Sequence, residues 1–191
     1  MYIPFATDIA SREMTVDTVD TVDTEETFLN DCWMLYFHDP DNNDWTPKSY
    51  NVLQTLSTAE DWVGADSAFR DMWQRGMFFL MREHIQPLWE DENNKHGGCL
   101  SFKVNKPDAS EYWFQLGCKL LGEVLGRPQI QNDHICGISI SPKRNYCILR
   151  VWLRSSEHTL PELYHLEAPY YSQVIYKPHT GQKDYETQGT L

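Results

Sequence analysis

Hydrophobic and polar positions divide the chain into short segments separated by turn-forming residues. Residues 28–39 carry aromatic and large apolar side chains over the length of one strand and end in the polar turn DPDNND. Similar short segments at residues 48–56, 77–83, 99–104 and 172–177 predict four more strands. The pattern therefore favours a sheet built mostly from consecutive strands.

Residues 135–154 show the clearest strand pattern. Apolar positions alternate on both sides of the segment SPKRNY, as in a β-hairpin. Because successive side chains of a strand point to opposite faces, the second arm divides into two sets. One set is apolar and the other is basic and aromatic: Cys147, Leu149, Val151 and Leu153 against Ile148, Arg150, Trp152 and Arg154. The hairpin therefore has one core face and one face of a different character.

Three segments show helical signals. Residues 57–73 begin with hydroxyl and acidic side chains in a capping order, and their apolar residues recur every three or four positions. Residues 108–125 have the same apolar period and stop before a glycine and a proline, which mark a helix end. Pro161 suits a first helical position and predicts a third helix to about Glu167.

These elements predict an α+β fold, with about eight short, mostly antiparallel strands and three helices on one face of the sheet. The 191 residues, 41% of them hydrophobic, indicate a single domain with one sizeable core. Residues 17–26 hold five carboxylates and no basic residue, so residues 1–27 are expected to form an acidic, disordered tail. The predicted domain is residues 28–191, with a flexible C-terminal segment.

Composition disfavours several functional classes. The net charge of −12 opposes broad, sequence-independent binding to long nucleic acids, although it permits a small basic patch. The five cysteines are scattered without a CxxC pair, which argues against a disulfide framework and a zinc site. No HExxH or GxSxG pattern is present, so hydrolytic catalysis is not predicted. The lack of a long apolar run and of a secretory signal indicates an intracellular protein.

The segment PLWEDENNKHGG, residues 87–98, places Trp89 in a predicted loop beside three consecutive carboxylates. A tryptophan in a loop is often a packing anchor, but an aromatic face next to a carboxylate also suits a flat, cationic, hydrogen-bond-donating ligand. Trp45 at a loop edge and Trp152 on the non-core face of its strand are also predicted outside the core. One pocket could combine these three rings with Glu90, Lys143, Arg144, Arg150 and Arg154.

Five segments resemble, in order and at similar spacing, the motifs of the eukaryotic translation initiation factor 4E family, which binds the 7-methylguanosine cap of messenger RNA. They are DCWMLYFHDPDNNDW, STAEDW, IQPLWEDENNKHGG, YWFQLGCKLLGE and VWLRSSE, within residues 28–180. The Trp-Glu-Asp-Glu run with its glycine pair is the most specific. The resemblance implies a curved, mostly antiparallel sheet of eight strands with three helices on its convex face.

The resemblance also implies a ligand site. Trp45 and Trp89 match the two rings that sandwich the methylated guanine, and cation–π attraction adds to stacking because that base is positively charged. Glu90 matches the carboxylate that accepts hydrogen bonds from the guanine N1 and amino group. Trp152 matches the ring that touches the N7 methyl group.

Two surfaces depart from the family pattern. Cys99 and Ile148 stand where the family usually has basic residues, and the phosphate contacts predicted instead are Lys143, Arg144 and Arg150. On the helical side, the family binds a partner helix through an apolar patch. The matching positions here are Phe28, Trp62, Val63, Phe114, Gln115 and Cys118, with Trp62 or Val63 in the neighbourhood of the patch tryptophan.

The implied function is to bind capped messenger RNA and recruit it to translation initiation through an initiation factor 4G-like scaffold, or to bind a 4E-binding repressor helix. This function involves no catalysis, cofactor, metal or membrane, and the expected location is the cytoplasm, with the nucleus as an additional compartment. Two rival interpretations stay open. One is a nucleotide-directed enzyme that uses Glu90, Asp91 and Glu92; the other is a family member that binds a scaffold but has lost cap affinity.

The sequence leaves four properties undetermined: the preferred cap methylation, the number of phosphates engaged, the identity of the scaffold, and an activating or repressing role. Residues 176–186 form either a flap over the first nucleotides or a solvated tail. Lys177, His179 and Lys183 are the residues of interest there.

Overall fold

The computed structural model describes residues 25–167 and 173–180 as one antiparallel sheet with two α-helices on one face. The seven strands are β1 (Phe28–His38), β2 (Asn51–Thr58), β3 (Met77–Arg82), β4 (Gly98–Asn105), β5 (Ile135–Pro142), β6 (Tyr146–Leu153) and β7 (Ile175–Pro178). Their spatial order is β2-β1-β3-β5-β6-β4-β7, and all neighbouring pairs are antiparallel. The hairpin predicted at residues 135–154 is confirmed as β5 and β6, in the interior of the sheet.

The alternation of side chains gives the sheet two different faces. The helical face holds the main core, to which β6 contributes the predicted apolar set, all fully buried: Cys147, Leu149, Val151 and Leu153. The opposite face, which we call the open face, carries a smaller buried cluster: Tyr36, Phe79, Met81, Ile85, Cys99, Cys136 and Trp152. The open face therefore has a floor of aromatic and sulfur-containing side chains.

Two α-helices cover the helical face, α1 (Ala59–Phe69) and α2 (Lys106–Leu121). A reciprocal cap between Thr58 and Asp61 starts α1, as the order of hydroxyl and acidic residues predicts. The sequence pattern extended α2 to residue 125. It ends at Leu121 because the chain turns through a left-handed conformation at Glu123, whose φ is 55°.

The predicted α+β class is confirmed, but two counts differ within the described residues. Seven strands are present instead of eight, and the predicted third helix is only a short 3-10 turn, Pro161–Leu163. Tyr164 ends this turn: its backbone is extended, its ring is buried, and its hydroxyl donates to the His158 carbonyl at 2.6 Å. Packing of Tyr164 into the core therefore outweighs the helix-start signal of Pro161.

Several predictions concern the two ends of the chain. Most of the expected acidic tail, residues 1–24, lies outside the described residues, as does Lys183. Lys177 lies in β7 and His179 is buried, so this part of the C-terminal segment belongs to the sheet and is not a flap.

The five cysteines are free. No helix within the described residues is long and apolar enough to span a membrane.

Candidate functional site

Trp45 lies in the loop between β1 and β2, at one rim of the open face. Asx-turns stabilise this loop. The side-chain oxygens of Asp39, Asn42 and Asp44 each accept the backbone N–H two residues further on, at 2.9 Å. The Trp45 side chain is 42% exposed. One of its faces stacks on the buried ring of His38, with centroids 4.2 Å apart and planes 6° apart. One face of the indole is therefore held, and the other is accessible to a flat ligand.

Trp89 lies in the loop between β3 and β4. Asn94 organises this loop, because its buried side-chain amide donates to the carbonyls of Gln86 and Leu88 at 2.9 and 2.8 Å. These bonds fix the backbone directly before Trp89. The indole is half-buried and makes no hydrogen bond or ring contact with any described residue.

The three consecutive carboxylates after Trp89 have different environments. Asp91 is used within the loop, where it accepts the N–H groups of two backbone amides at 3.1 and 2.9 Å. Glu92 pairs with Lys95 at 2.6 Å. Glu90 is exposed and has no hydrogen-bond or ionic partner among the described residues. Of the three, Glu90 is therefore the carboxylate most available to a ligand.

A buried network ties the Trp89 loop to the end of β7. His179 Nδ1 donates to the Asn94 carbonyl at 2.8 Å, and its Nε2 lies 3.2 Å from the Cys99 sulfur. Since a carbonyl only accepts, Nδ1 carries the proton and Nε2 accepts from the thiol. Burial lowers the pKa of His179, and burial also raises the pKa of Cys99 to about 12. Cys99 is therefore a structural thiol and not a nucleophile.

Arg154 has a structural task in the same region, although the sequence suggested it as part of a basic pocket. Its guanidinium donates to the Asn93 side chain at 2.7 Å and to the Asp133 carbonyl at 2.8 Å. The first bond fastens the Trp89 loop to the end of β6, and the second connects the end of β6 to the turn before β5.

A continuous row of rings crosses the open face. It consists of Trp45, His38, Tyr50, Phe79, Trp152 and His179, with consecutive centroids 4.2, 4.9, 5.3, 6.2 and 5.0 Å apart. Trp152 is anchored in this aromatic row because its N–H donates to the Ser139 hydroxyl at 3.0 Å. His38 was not among the site residues predicted from the sequence. The signal was present in the alternation of β1, which puts His38 on the same face as Tyr36.

The predicted phosphate contacts are spread along the sheet. Lys143 and Arg144 are exposed in the turn between β5 and β6, whereas Arg150 lies inside β6 and donates to a serine hydroxyl of β5 at 3.2 Å. Strand geometry puts about 13 Å between the base of the turn and Arg150. Lys177 of β7 is a further cation, paired in register with Cys99. Arg150 and Lys177 both act to lower the pKa of the Cys99 thiol, against the larger effect of burial.

The helical face differs from expectation at the predicted partner positions. Trp62 is 2% exposed, its ring stacks on Phe114 with planes 7° apart, and its N–H donates to the Phe114 carbonyl at 3.2 Å. Gly117 of α2 makes room for this ring, because a Cβ there would overlap the indole. Val63 is 54% exposed, so Val63 and not Trp62 is accessible to a partner. The remaining positions are exposed or half-buried: Phe28, Phe114, Gln115 and Cys118.

An open cavity of about 440 Å³ lies elsewhere, at the end of α2. Its lining includes Glu123, Arg127, Asn132 and His165, and none of the predicted ligand residues. The accessible rings and the available carboxylate are instead at the rims of the open face, which is the candidate site.

Comparison with known proteins identifies the family. The family model described as eukaryotic initiation factor 4E matches residues 28–188. The chain belongs to the eukaryotic initiation factor 4E family. This confirms the resemblance that the five sequence motifs indicate.

Relatives within the initiation factor 4E family align over part of their length. The eukaryotic translation initiation factor NCBP of Triticum aestivum is 36% identical over 107 residues, which are 52% of this chain and 44% of that protein. The initiation factor 4E of Eremothecium gossypii is 28% identical over 134 residues, 66% of this chain and 62% of that protein. The alignments therefore span less than two thirds of the length of these relatives.

Solved structures of initiation factor 4E proteins share the fold. A schistosome initiation factor 4E, in complex with m7GpppG and 4E-BP, has a TM-score of 0.70 at 22% identity, covering 87% of this chain and 95% of that chain. The Ascaris suum eIF4E-3, in complex with an m7G cap, has a TM-score of 0.64 at 23% identity, covering 83% and 94%.

Proposed function

We propose that this initiation factor 4E family member acts in the cytoplasm, where it binds the 7-methylguanosine cap of messenger RNA on its open face and a scaffold or repressor helix on its helical face. One observation carries the proposal: Trp45 is held from behind with one face accessible, and a second loop presents Trp89 beside the unpartnered carboxylate of Glu90. The related fold that was solved with a cap nucleotide and 4E-BP supports it.

The proposed contacts follow from the chemistry of the ligand. Methylation at N7 gives guanine a delocalised positive charge, which the face of an indole attracts by about 0.5–2 kcal/mol. Base stacking on an aromatic side chain contributes about 1–3 kcal/mol. Glu90 accepts from the guanine N1–H and amino group, because an ionised carboxylate has two acceptor oxygens. Trp152, anchored in the floor, contacts the methyl group.

The phosphate chain extends from the base toward the cations of the face. Arg150 is the principal proposed contact because this residue is half-buried, where solvent screens a charge less than at the exposed turn. Lys143 and Arg144 extend the attraction at the turn, and Lys177 adds a cation from β7.

The test of cap binding is a fluorescence titration with 7-methyl-GTP and with GTP. The wild type should bind the methylated nucleotide about tenfold more tightly, and Glu90→Gln should weaken that binding about tenfold. Glu92→Gln is the matched control, because its carboxylate is already paired with Lys95 and should contribute nothing to the ligand. Equal wild-type affinities for the two nucleotides would contradict the proposal.

The partner surface has a separate test. Val63→Asp should abolish binding of a helical peptide from a 4E-binding protein, since a charge opposes burial of the apolar patch. Val52 is exposed to a similar degree on β2, 53% against 54%, so Val52→Asp is the control and should bind normally. Equal peptide binding by the two variants would refute this part.

The proposal assigns no catalysis to this chain. The rival enzyme requires Glu90, Asp91 and Glu92 to act together, but Asp91 and Glu92 are occupied within the loop. Turnover of GTP, or a change in nucleotide affinity on adding magnesium that is lost in Glu90→Gln, would favour the enzyme instead.

A further inference from the structure

A buried histidine supports the ring on which the proposed function depends. His38 is the last residue of β1 and is 0% exposed. Its imidazole lies parallel to the Trp45 indole, with centroids 4.2 Å apart and planes 6° apart. Trp45 makes no other ring contact within the described residues. The orientation of this indole therefore depends on His38.

A hydrogen bond connects the same imidazole to the loop backbone. His38 Nε2 lies 2.9 Å from the carbonyl oxygen of Asp44, the residue before Trp45. A carbonyl only accepts, so Nε2 carries the proton. Nδ1 is buried without a hydrogen-bond partner in the described part of the chain. His38 therefore contacts both the ring of Trp45 and the chain that leads to it.

The neighbours of His38 restrict its own movement. The Tyr50 ring lies 4.9 Å away at 57°, and the register of β1 with β3 places Met77 opposite His38. Tyr50 in turn contacts Phe79 at 5.3 Å. Because a packed side chain moves only when its neighbours give way, His38 is a fixed platform at one end of the aromatic row.

We propose that His38 is a positioning residue for Trp45, which it holds in a stacking orientation before the nucleotide arrives. The inference rests on the proposed cap-binding function. An exposed side chain that a ligand must immobilise loses rotamer freedom on binding, which weakens affinity about two- to tenfold. The platform removes this loss by ordering Trp45 when the protein folds.

Three substitutions separate the two contacts of His38. His38→Ala removes both and should weaken 7-methyl-GTP binding about three- to tenfold. His38→Phe keeps a ring behind Trp45 and should restore affinity to within about twofold of the wild type. His38→Gln keeps a donor without a ring and should restore less than the phenylalanine does. Met72→Ala creates a cavity in the main core of the helical face, controls for general destabilisation, and should bind like the wild type.

Nitrogen relaxation of the Trp45 indole, measured without ligand, tests the positioning directly. The order parameter should be about 0.8 in the wild type and in His38→Phe, and below about 0.6 in His38→Ala. Unchanged order in His38→Ala would overturn the inference. Equal loss of affinity in the alanine and phenylalanine variants would overturn the role of the stack. If the wild type failed to bind 7-methyl-GTP, the proposed function would fail, and the relaxation data would still decide what His38 does.

Discussion

The two faces of the sheet use tryptophan in different ways. On the helical face, Trp62, Trp73 and Trp113 pack on one another with centroids 6.0–6.1 Å apart, and each is at most 2% exposed. At the rims of the open face, Trp45 and Trp89 lie in loops and keep accessible surface. The same residue type thus forms the core on one side and is available to a ligand on the other.

The neighbours of each ring explain this difference. Gly117 lets α2 approach the Trp62 ring, and the buried carboxylate of Asp66 accepts the Trp73 N–H at 2.8 Å. In the described residues both α-helices lie on the helical face, so the open face is bordered by loops. A ring that a helix buries stabilises the folded protein. The exposed part of a ring in a loop is removed from water only when a ligand covers it, so that part contributes to binding. Substitutions should therefore change stability on one face and binding on the other.

The largest expected effect is on the open face. Trp89→Ala should weaken 7-methyl-GTP binding about five- to 150-fold because one stacking surface is lost. Stability is compared in the matched pair Trp89→Phe and Trp73→Phe, because the Trp89 ring is half-buried and the Trp73 ring is fully buried. Urea unfolding should show the larger loss of stability for Trp73→Phe, whose nucleotide affinity should be unchanged. Similar stability losses in the two variants would break the comparison.

The next effect is on the helical face. Gly117→Ala should destabilise the fold by about 1–3 kcal/mol, because the new Cβ overlaps the Trp62 indole. Gly64 is the matched glycine, inside α1, where an added Cβ would meet nothing within 4 Å, and Gly64→Ala should stabilise by about 0.5–1 kcal/mol. Urea unfolding measures both. The packing account is wrong if the two substitutions shift stability in the same direction.

A smaller effect is expected at the phosphate end. Arg150→Ala should weaken 7-methyl-GTP binding about tenfold in low salt and less in high salt, because added ions screen the lost attraction. Arg127→Ala makes the same charge change at the separate cavity and should have little effect. Affinity that does not change with Arg150→Ala at any salt concentration would remove Arg150 from the site.

The smallest expected effect is the pH dependence of stability that comes from the buried His179. Burial lowers the pKa of His179 below its ordinary value of 6.5, so the unfolded chain takes up the proton more readily. The stability that this histidine contributes is fully present above pH 6.5 and is lost as the pH falls through its folded pKa. Urea unfolding at about pH 7.5 and about pH 5.5 should show the loss. Burial lowers the pKa of His134 too, so His179→Gln should reduce the pH dependence without abolishing it. An identical dependence in this variant would contradict the assignment.

The fold was predictable where neighbouring residues determine it. Alternation along residues 135–154 predicted the hairpin and the core side of β6, because strand periodicity is a local property. The apolar period of residues 57–73 indicates a core position for Trp62, whereas the family resemblance placed it near the partner patch. The packing of its ring against Gly117 in the other helix agrees with the period. The predicted helix after Pro161 failed because Tyr164 packs into the core, so there tertiary packing overrides a local signal.

The candidate site was also predictable only in part. Composition and spacing identified Trp45, Trp89 and Glu90 as candidates, and these stay predictions until a ligand is measured. The stacking of His38 on Trp45 was not predictable, because the contact between a strand end and a loop residue is visible only in the folded structure. Composition does not distinguish Glu90 from the acids that follow it, and the family resemblance selected it. Hydrogen-bond geometry supports that choice, because Asp91 and Glu92 are occupied within the loop.

An indole NMR titration with 7-methyl-GTP tests the central claim most directly. The chain has seven tryptophans, and their N–H signals are assigned by replacing each with phenylalanine. The signals of Trp45, Trp89 and Trp152 should move with 7-methyl-GTP and much less with GTP, while those of Trp33, Trp62, Trp73 and Trp113 stay in place. Movement confined to the helical-face signals, or an equal response to the two nucleotides, would contradict a cap site on the open face.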